Sequence, residues 1–392
     1  MHVSLDDVEK ARKTLAGVIC RTGLAYTNTV SEMSGNHVYL KMENLQRTGS
    51  FKLRGAYNKI ANLSEKEKRE GVIASSAATT FGISSTIVMP KHAPLSKVNA
   101  TRGYGAKVVL HGDVYDEAYA KARCIQAEEN STFVHPFDDP MVIAGQGTIA
   151  LELLEDLPEV EVVVVPIGGG GLISGMAVAL KNLKPSIKII GVQTKNMPCM
   201  AEAISRQCIV TIDKIPTIAD GIAVKTPGNL NFEIVKHFVD DIVTVDEEEI
   251  AGAILLLLER IKTIAEGAGA AAIAAVLHRL SQYKGRKIAA VISGGNIDVN
   301  TMTRIINKGM VKSGRKVFFD TMISDKPGTL WTLLQLIADA GANVLAVTHS
   351  RDNQGVALGY AKVELELETA DKEQIYAIKR LMEEKQYCVN IR

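Results

Sequence analysis

An α/β body with open parallel sheets, followed by a small ferredoxin-like unit, is the fold this sequence predicts. Three observations point there. From about residue 38 to 315, short apolar runs alternate with helical stretches, the pattern of a doubly wound architecture. Several of the runs are continuous in Val and Ile, as in Val162–Val165, which suits strands covered on both faces. Beyond Lys312-Ser313-Gly314-Arg315 the order becomes β-α-β-β-α-β, the split βαβ of a ferredoxin-like module.

The elements follow in order. Ser4 with Asp7 makes an N-cap pattern, and Val8, Ala11 and Leu15 recur at helical spacing. Strands are expected at Val38–Met42, Gly71–Ala74, Thr86–Met89, Lys107–Leu110, Val160–Pro166, Lys188–Val192 and Lys287–Ser293. Helical patterns lie between them, among them Val114–Glu129, Leu172–Leu183 and Glu247–Arg260. In the C-terminal unit, strands are expected at Lys316–Ile323, Ala342–Thr348, Val356–Leu367 and Tyr387–Ile391, with helices at Gly328–Ala340 and Lys372–Glu384. At 392 residues the chain needs two or three domains. The body is expected over residues 1–315, with a smaller subdomain at about 40–144 inserted in a larger one, and the second unit over 316–392.

One junction conflicts with this order. Only about ten residues separate the strand ending near Ala74 from the one starting at Thr86, and parallel neighbours need a crossover of roughly a dozen or more. Either the two strands are not neighbours or a segment is missing between them.

The bulk composition excludes several classes. Forty-five basic residues balance 44 acidic ones, for a formal net charge of +1, which argues against a nucleic-acid or membrane surface as the main partner. The five cysteines are scattered, with no C-x-x-C pair, against a disulfide framework or zinc site. The start, Met1 to Asp7, lacks the apolar stretch of a signal peptide. The runs Ile254–Leu258 and Ala268–Leu277 fall short of the ~20 residues that span a bilayer. A cytoplasmic location is expected.

Three features could carry chemistry. Lys52 follows a Thr48-Gly49-Ser50 turn and opens a helix. It is either a solvated cation or the attachment point of an aldehyde cofactor. Gly168-Gly169-Gly170-Gly171 lies between a strand and a helix. Consecutive glycines bring N–H groups close to an anion, and the helix N-terminus adds partial positive charge; a permissive tight turn is the alternative. No G-x-x-x-x-G-K-[ST] is present, and the dinucleotide spacing is met only loosely. Ser293-Gly294-Gly295-Asn296 follows a strand at the end where open sheets bind ligands. Ser293 could donate to an unprotonated ring nitrogen or simply cap a turn. Glu266 is a helix N-terminal charge or a site residue. Lysine, phosphate cradle and ring-nitrogen donor together are what pyridoxal phosphate requires.

In the residues just described, and in Lys41–Ala56, Pro136-Phe137-Asp138-Asp139, Gly145-Gln146-Gly147-Thr148 and Ala219-Asp220-Gly221, the chain resembles the threonine dehydratases (threonine ammonia-lyases). These belong to the β-family, or fold type II, of pyridoxal-phosphate enzymes. Residues 316–392, with Asp325-Lys326-Pro327-Gly328, resemble an ACT domain, a module that binds amino acids between paired units. The resemblance implies that Lys52 is the catalytic residue, bound to the cofactor as a Schiff base and freed to take the Cα proton of the substrate. It implies Phe51 beside the ring, Gly168, Gly169, Gly170 and Gly171 on the phosphate, and Ser293 at the pyridine nitrogen, with no metal. The implied reaction is β-elimination of threonine, and of serine, to 2-oxobutanoate or pyruvate and ammonium. The implied partners are an amino-acid substrate, an amino-acid effector and further copies of the chain in a homodimer or homotetramer.

The resemblance breaks at the same junction. Ser75, Ser76 and Ala77 match the start of the loop that clamps the substrate carboxylate, but its Gly-Asn-His-Ala-Gln-Gly portion has no counterpart. A real deletion would favour a non-catalytic amino-acid sensor. The other alternative, a serine racemase, uses a serine where Ala77 stands and carboxylates where Gln193 to Cys199 has none.

Overall fold

The computed structural model describes residues 3–73, 85–91, 93, 95–103, 105–113, 115–213, 215–352 and 354–392. The chain divides into two compact units, residues 1–298 and 299–392.

The first unit holds two sheets. The larger contains β1 (Leu24–Tyr26), β2 (His37–Lys41), β7 (Val162–Pro166), β8 (Lys188–Thr194), β9 (Asp241–Val245) and β10 (Lys287–Val291), in the spatial order β1-β2-β10-β7-β8-β9. All neighbours are parallel except β1, which pairs antiparallel with β2 at the edge. β7 is buried at every position, as its unbroken valines require. One of its neighbours is the helix Gly267–His278, buried over Gly267–Val276. A helix apolar all round belongs inside a protein. The smaller sheet contains β3 (Val72–Ile73), β4 (Ser85–Met89), β5 (Lys107–Leu110) and β6 (Thr132–Phe133), all parallel, in the order β5-β4-β3-β6.

β3 and β4 are parallel neighbours, with Val72 opposite Ser85 and Ile73 opposite Thr86. This rules out the first of the two readings of the short junction. The connection runs through residues 74–84, so the expected Ser75, Ser76 and Ala77 lie outside the described residues. The stretch expected as one helix over Glu247–Arg260 is an α-helix to Leu256 and a wider π-turn over Leu257–Ile261, closed by Lys262 at φ 62°.

The second unit opens with the helix Val299–Ser313. It continues as β11 (Lys316–Ser324), the helix Thr329–Asp339, β12 (Asn343–Ser350), β13 (Tyr360–Glu368), the helix Lys372–Glu384 and β14 (Val389–Ile391). The strands form an antiparallel sheet, β12-β13-β11-β14. Strict alternation on β11 sends Val317, Phe319, Thr321 and Ile323 inward. There the apolar members join Leu333, Ile337, Ile378 and Met382 from the two helices that follow the strands. No helix among the described residues is long and apolar enough to cross a membrane.

Candidate active site

The order β2-β10-β7 decides where the site forms. Because the three strands are parallel, their carboxyl ends lie on one side of the sheet, and the loops that leave them are neighbours. Those loops carry Lys52, Ser293 and Gly168–Gly171. Ser293 therefore comes from the strand between the lysine loop and the glycine loop.

Backbone bonds stitch the first two loops together. Phe51 N donates to Ser293 O at 3.1 Å, Gly295 N to Gly49 O at 2.9 Å and Asn44 N to Ile292 O at 3.0 Å. Ser50 and Gly294 form an isolated bridge. Gly49 sits at φ 73° and a Cβ there would strike the Asn296 side chain, so only glycine makes this turn. Ser293 is buried, Phe51 half-buried and Lys52 exposed.

Beneath Lys52 lies a buried cluster of charge. Arg54, fully buried, donates to both Glu43 oxygens at 2.9 and 2.7 Å, and to both Glu152 oxygens at 2.6 and 2.9 Å. Lys41 Nζ donates to Glu152 at 2.6 Å and to Thr22 O at 2.7 Å. Two cations meet two carboxylates. Burial alone would lower the Arg54 pKa, but Glu43 and Glu152 outweigh it and hold the guanidinium well above its usual range. Burial likewise would raise Glu152, yet Arg54 and Lys41 bring it below the usual carboxylate value.

The helix Pro140–Asp156 joins the lysine helix to the glycine helix. A Cβ on Gly145 would lie 2.6 Å from Arg54 O, and one on Gly147 would lie 2.7 Å from Gly175 O. Gln146 Oε1 accepts from Gly55 N at 3.2 Å. The Gly-Gln-Gly-Thr motif is thus a packing device with two close backbone crossings.

The glycine loop leaves β7 and starts the helix Gly171–Leu183. Its N-cap, Gly170, is left-handed at φ 102° and supplies no side-chain cap, so the first N–H groups of the helix remain for an anion. The loop is packed from behind. A Cβ on Gly169 would lie 2.3 Å from the Phe137 ring, and one on Gly171 would lie 2.8 Å from Phe137 O. Cys199, whose thiol burial pushes up to about 11, lies 3.9 Å from Gly168 O. Gln193 accepts from Met200 N and Ala201 N at 3.0 and 2.9 Å, and so fixes the turn that carries this cysteine.

A glycine cradle at an uncapped helix start, a buried hydroxyl on the central strand and a lysine on the adjoining loop fit pyridoxal phosphate. The family model described as "Pyridoxal-phosphate dependent enzyme" matches residues 15–294. The chain belongs to that family. Over 399 aligned positions it is 57% identical to the L-threonine ammonia-lyase of Thermotoga maritima, covering 99% of each chain. Those positions outnumber the 392 residues here by seven, so at least seven residues of that relative have no counterpart in this chain. The catabolic L-threonine dehydratase TdcB of Escherichia coli K12 is 49% identical, matching 78% of this chain and 96% of its own. Among solved structures, maize serine racemase superposes with a TM-score of 0.74 at 32% identity, over 80% of this chain and 99% of that one. This member of the family is a pyridoxal-phosphate enzyme with the expected fold type II body.

The structure thus brings Phe51, Lys52, Ser293 and Gly168–Gly171 to one end of one sheet. Of the supporting residues, sequence reading singled out Glu266, as a helix N-terminal charge or a site residue, and missed the others. Glu266 is the N-cap of the helix Gly267–His278 but makes no side-chain cap; its carboxylate packs between Gly221 and Gly294. Glu43, Glu152 and Lys41 come together only in three dimensions, although Glu152 follows the Gly-Gln-Gly-Thr motif one turn later on the same helix.

Proposed function

We propose that this enzyme removes ammonia from L-threonine, and from L-serine, by β-elimination, giving 2-oxobutanoate or pyruvate and ammonium. The observation that carries the reading is the meeting of Lys52, Ser293 and the glycine loop around β10. The full-length kinship with an ammonia-lyase supplies the substrate class. Pyridoxal phosphate, when bound, provides the sink for the electron pair left at Cα. Lys52 holds the cofactor and then takes the Cα proton on Nζ. Phe51 would lie beside the ring, the Ser293 hydroxyl would donate a hydrogen bond to the ring nitrogen, and the N–H groups of Gly168–Gly171 would hold the phosphate. Ser75, Ser76 and Ala77 take the substrate carboxylate. The racemase reading is the weaker one, because the maize structure matches 80% of this chain whereas the ammonia-lyase matches nearly all of it.

We further propose that residues 316–392 form an ACT domain that binds an amino-acid effector between paired copies in a cytoplasmic homodimer or homotetramer. The βαββαβ order supports this. So does β12, an edge strand that leaves Leu345 and Val347 exposed, since open apolar edges invite pairing.

Borohydride treatment of the full chain, followed by intact mass, tests the site. A cofactor-sized gain that is absent in Lys52→Ala supports it; no gain in the wild type leaves an amino-acid sensor. Mass above 42.3 kDa by about nine or ten residues would show a complete crossover after Ala77. Product analysis with threonine and serine then separates oxo acid from D-serine. A rate indifferent to every common amino acid would overturn the effector reading.

A further inference from the structure

The N–H groups of the glycine loop can face an anion only if the loop is held from its other side. Gly228 N donates to Gly169 O at 3.0 Å. In a planar trans peptide the N–H points opposite to the C=O, so this bond turns the N–H of Gly170 away from Gly228. Asn231, fully buried, lies against Gly170, where a Cβ would be 2.7 Å from its own. Gly228 and Asn231 both sit at the start of the helix Asn229–Phe238.

That helix cannot cap itself, because its N-cap is Gly228. Asp138, 91 residues earlier, does so instead. Its Oδ2 accepts from Asn229 N at 3.0 Å, and its Oδ1 accepts from Leu230 N at 3.0 Å and Asn231 N at 3.3 Å. The absent Cβ of Gly228 admits the carboxylate, since a Cβ there would lie 2.4 Å from Oδ1. Asp138 is held in turn by its own N–H, which donates to His135 Nδ1 at 2.8 Å. The adjacent Phe137 supplies the ring behind Gly169 and accepts from Asn231 Nδ2 at 2.9 Å.

We infer that Asp138 is a positioning residue for the cofactor phosphate, acting through Gly228 and Asn231 on the glycine loop without touching the phosphate. This rests on the reading that Gly168–Gly171 receives that phosphate. A residue that merely stabilised the fold would affect all ligands of the site alike, whereas Asp138 affects those bearing a phosphate.

Equilibrium dialysis of the full-length apoprotein against pyridoxal phosphate and against pyridoxal, which lacks the phosphate, tests the inference. A wild type that does not prefer pyridoxal phosphate overturns the glycine-loop reading itself. With that preference present, Asp138→Ala weakens pyridoxal phosphate about tenfold and pyridoxal less than about twofold, as loss of a helix cap next to the loop requires. Asp138→Asn keeps one acceptor oxygen, and its preference falls about threefold. An Asp138→Ala protein with the wild-type preference, whether neither ligand weakens or both weaken together, overturns the inference. Should that variant not fold, Asp138→Asn decides: a reduced preference supports it and an unchanged one overturns it.

Discussion

The two loops that flank Ser293 are supported in opposite ways. The lysine loop rests on full charges, with Arg54, Lys41 and Glu43 fully buried and Glu152 reaching the edge of the cluster. The glycine loop touches neutral side chains and backbone groups, with Phe137 and Asn231 behind it, and the Asp138 carboxylate stands a step further back as a helix cap. The difference follows from what each loop presents. A lysine must be carried on a rigid helix, and ion pairs from Arg54 fix that helix to Glu43, just past β2, and to Glu152 of Pro140–Asp156, which Lys41 of β2 also holds. A phosphate cradle must keep its own N–H groups unspent, so nothing strongly polar can hold it from the front.

Breaking the charged side should have the largest effect. Arg54→Met leaves Glu43 and Glu152 buried with their main partner gone. Removing one member of a buried ion set costs about 3–5 kcal/mol. The urea midpoint of the apoprotein should fall accordingly, with the slope unchanged. A midpoint within error of the wild type would mean that the cluster is ornamental and the contrast between the loops false.

Crowding the neutral side should cost less. Gly169→Ala places a methyl 2.3 Å from the Phe137 ring, and overpacking of this kind costs about 1–3 kcal/mol. The loss should appear in cofactor affinity rather than in the urea midpoint, because the loop is local. Phe137→Leu in the same chain should restore part of the affinity by making room. If Gly169→Ala instead lowered the midpoint as far as Arg54→Met does, both loops would be parts of one structural core.

Most strands and the site residues themselves were legible in the sequence, whereas the contrast in their support was not, and the reasons are physical. Strands such as Val162–Pro166 announce themselves because a strand buried on both faces is a continuous apolar run. Three strands do not: β1 and β6 are three and two residues long, and β9 lies at the sheet edge with half-buried positions. The site glycines were visible, since close backbone approach admits no other residue. Their supports were not. Asp138 meets Asn229 N only because the Phe137-Asp138 turn reaches the start of the helix Asn229–Phe238, and no local pattern encodes a cap taken from 91 residues away. The cluster of Arg54, Glu43 and Glu152 was hidden for the same reason. The sequence places its members 11 and 98 residues apart, and charge alone suggests solvent rather than burial.

The smallest effect expected is one of pH, and it concerns the hinge of the neutral side. His135 Nδ1 accepts two N–H groups, from Asp138 at 2.8 Å and Phe137 at 3.3 Å. Burial lowers the pKa of this imidazole from its ordinary 6.5; Asp138 and Asp139 oppose the shift and Arg123 reinforces it. The folded protein therefore holds His135 neutral where the unfolded chain would begin to bind a proton. Stability from this group is complete above 6.5 and declines as pH falls from there toward the lower folded value. A proton on Nδ1 would also face two donors, so the turn carrying Phe137 and Asp138 should loosen. Thermal midpoints of the apoprotein between about pH 8 and pH 5.5 should show this as an added downward slope below the ordinary histidine value. His135→Asn substitutes an acceptor oxygen that does not titrate, and its slope should be shallower. Equal slopes in the two proteins would show that the turn does not depend on a neutral imidazole, and that the neutral support of the glycine loop ends at Asp138.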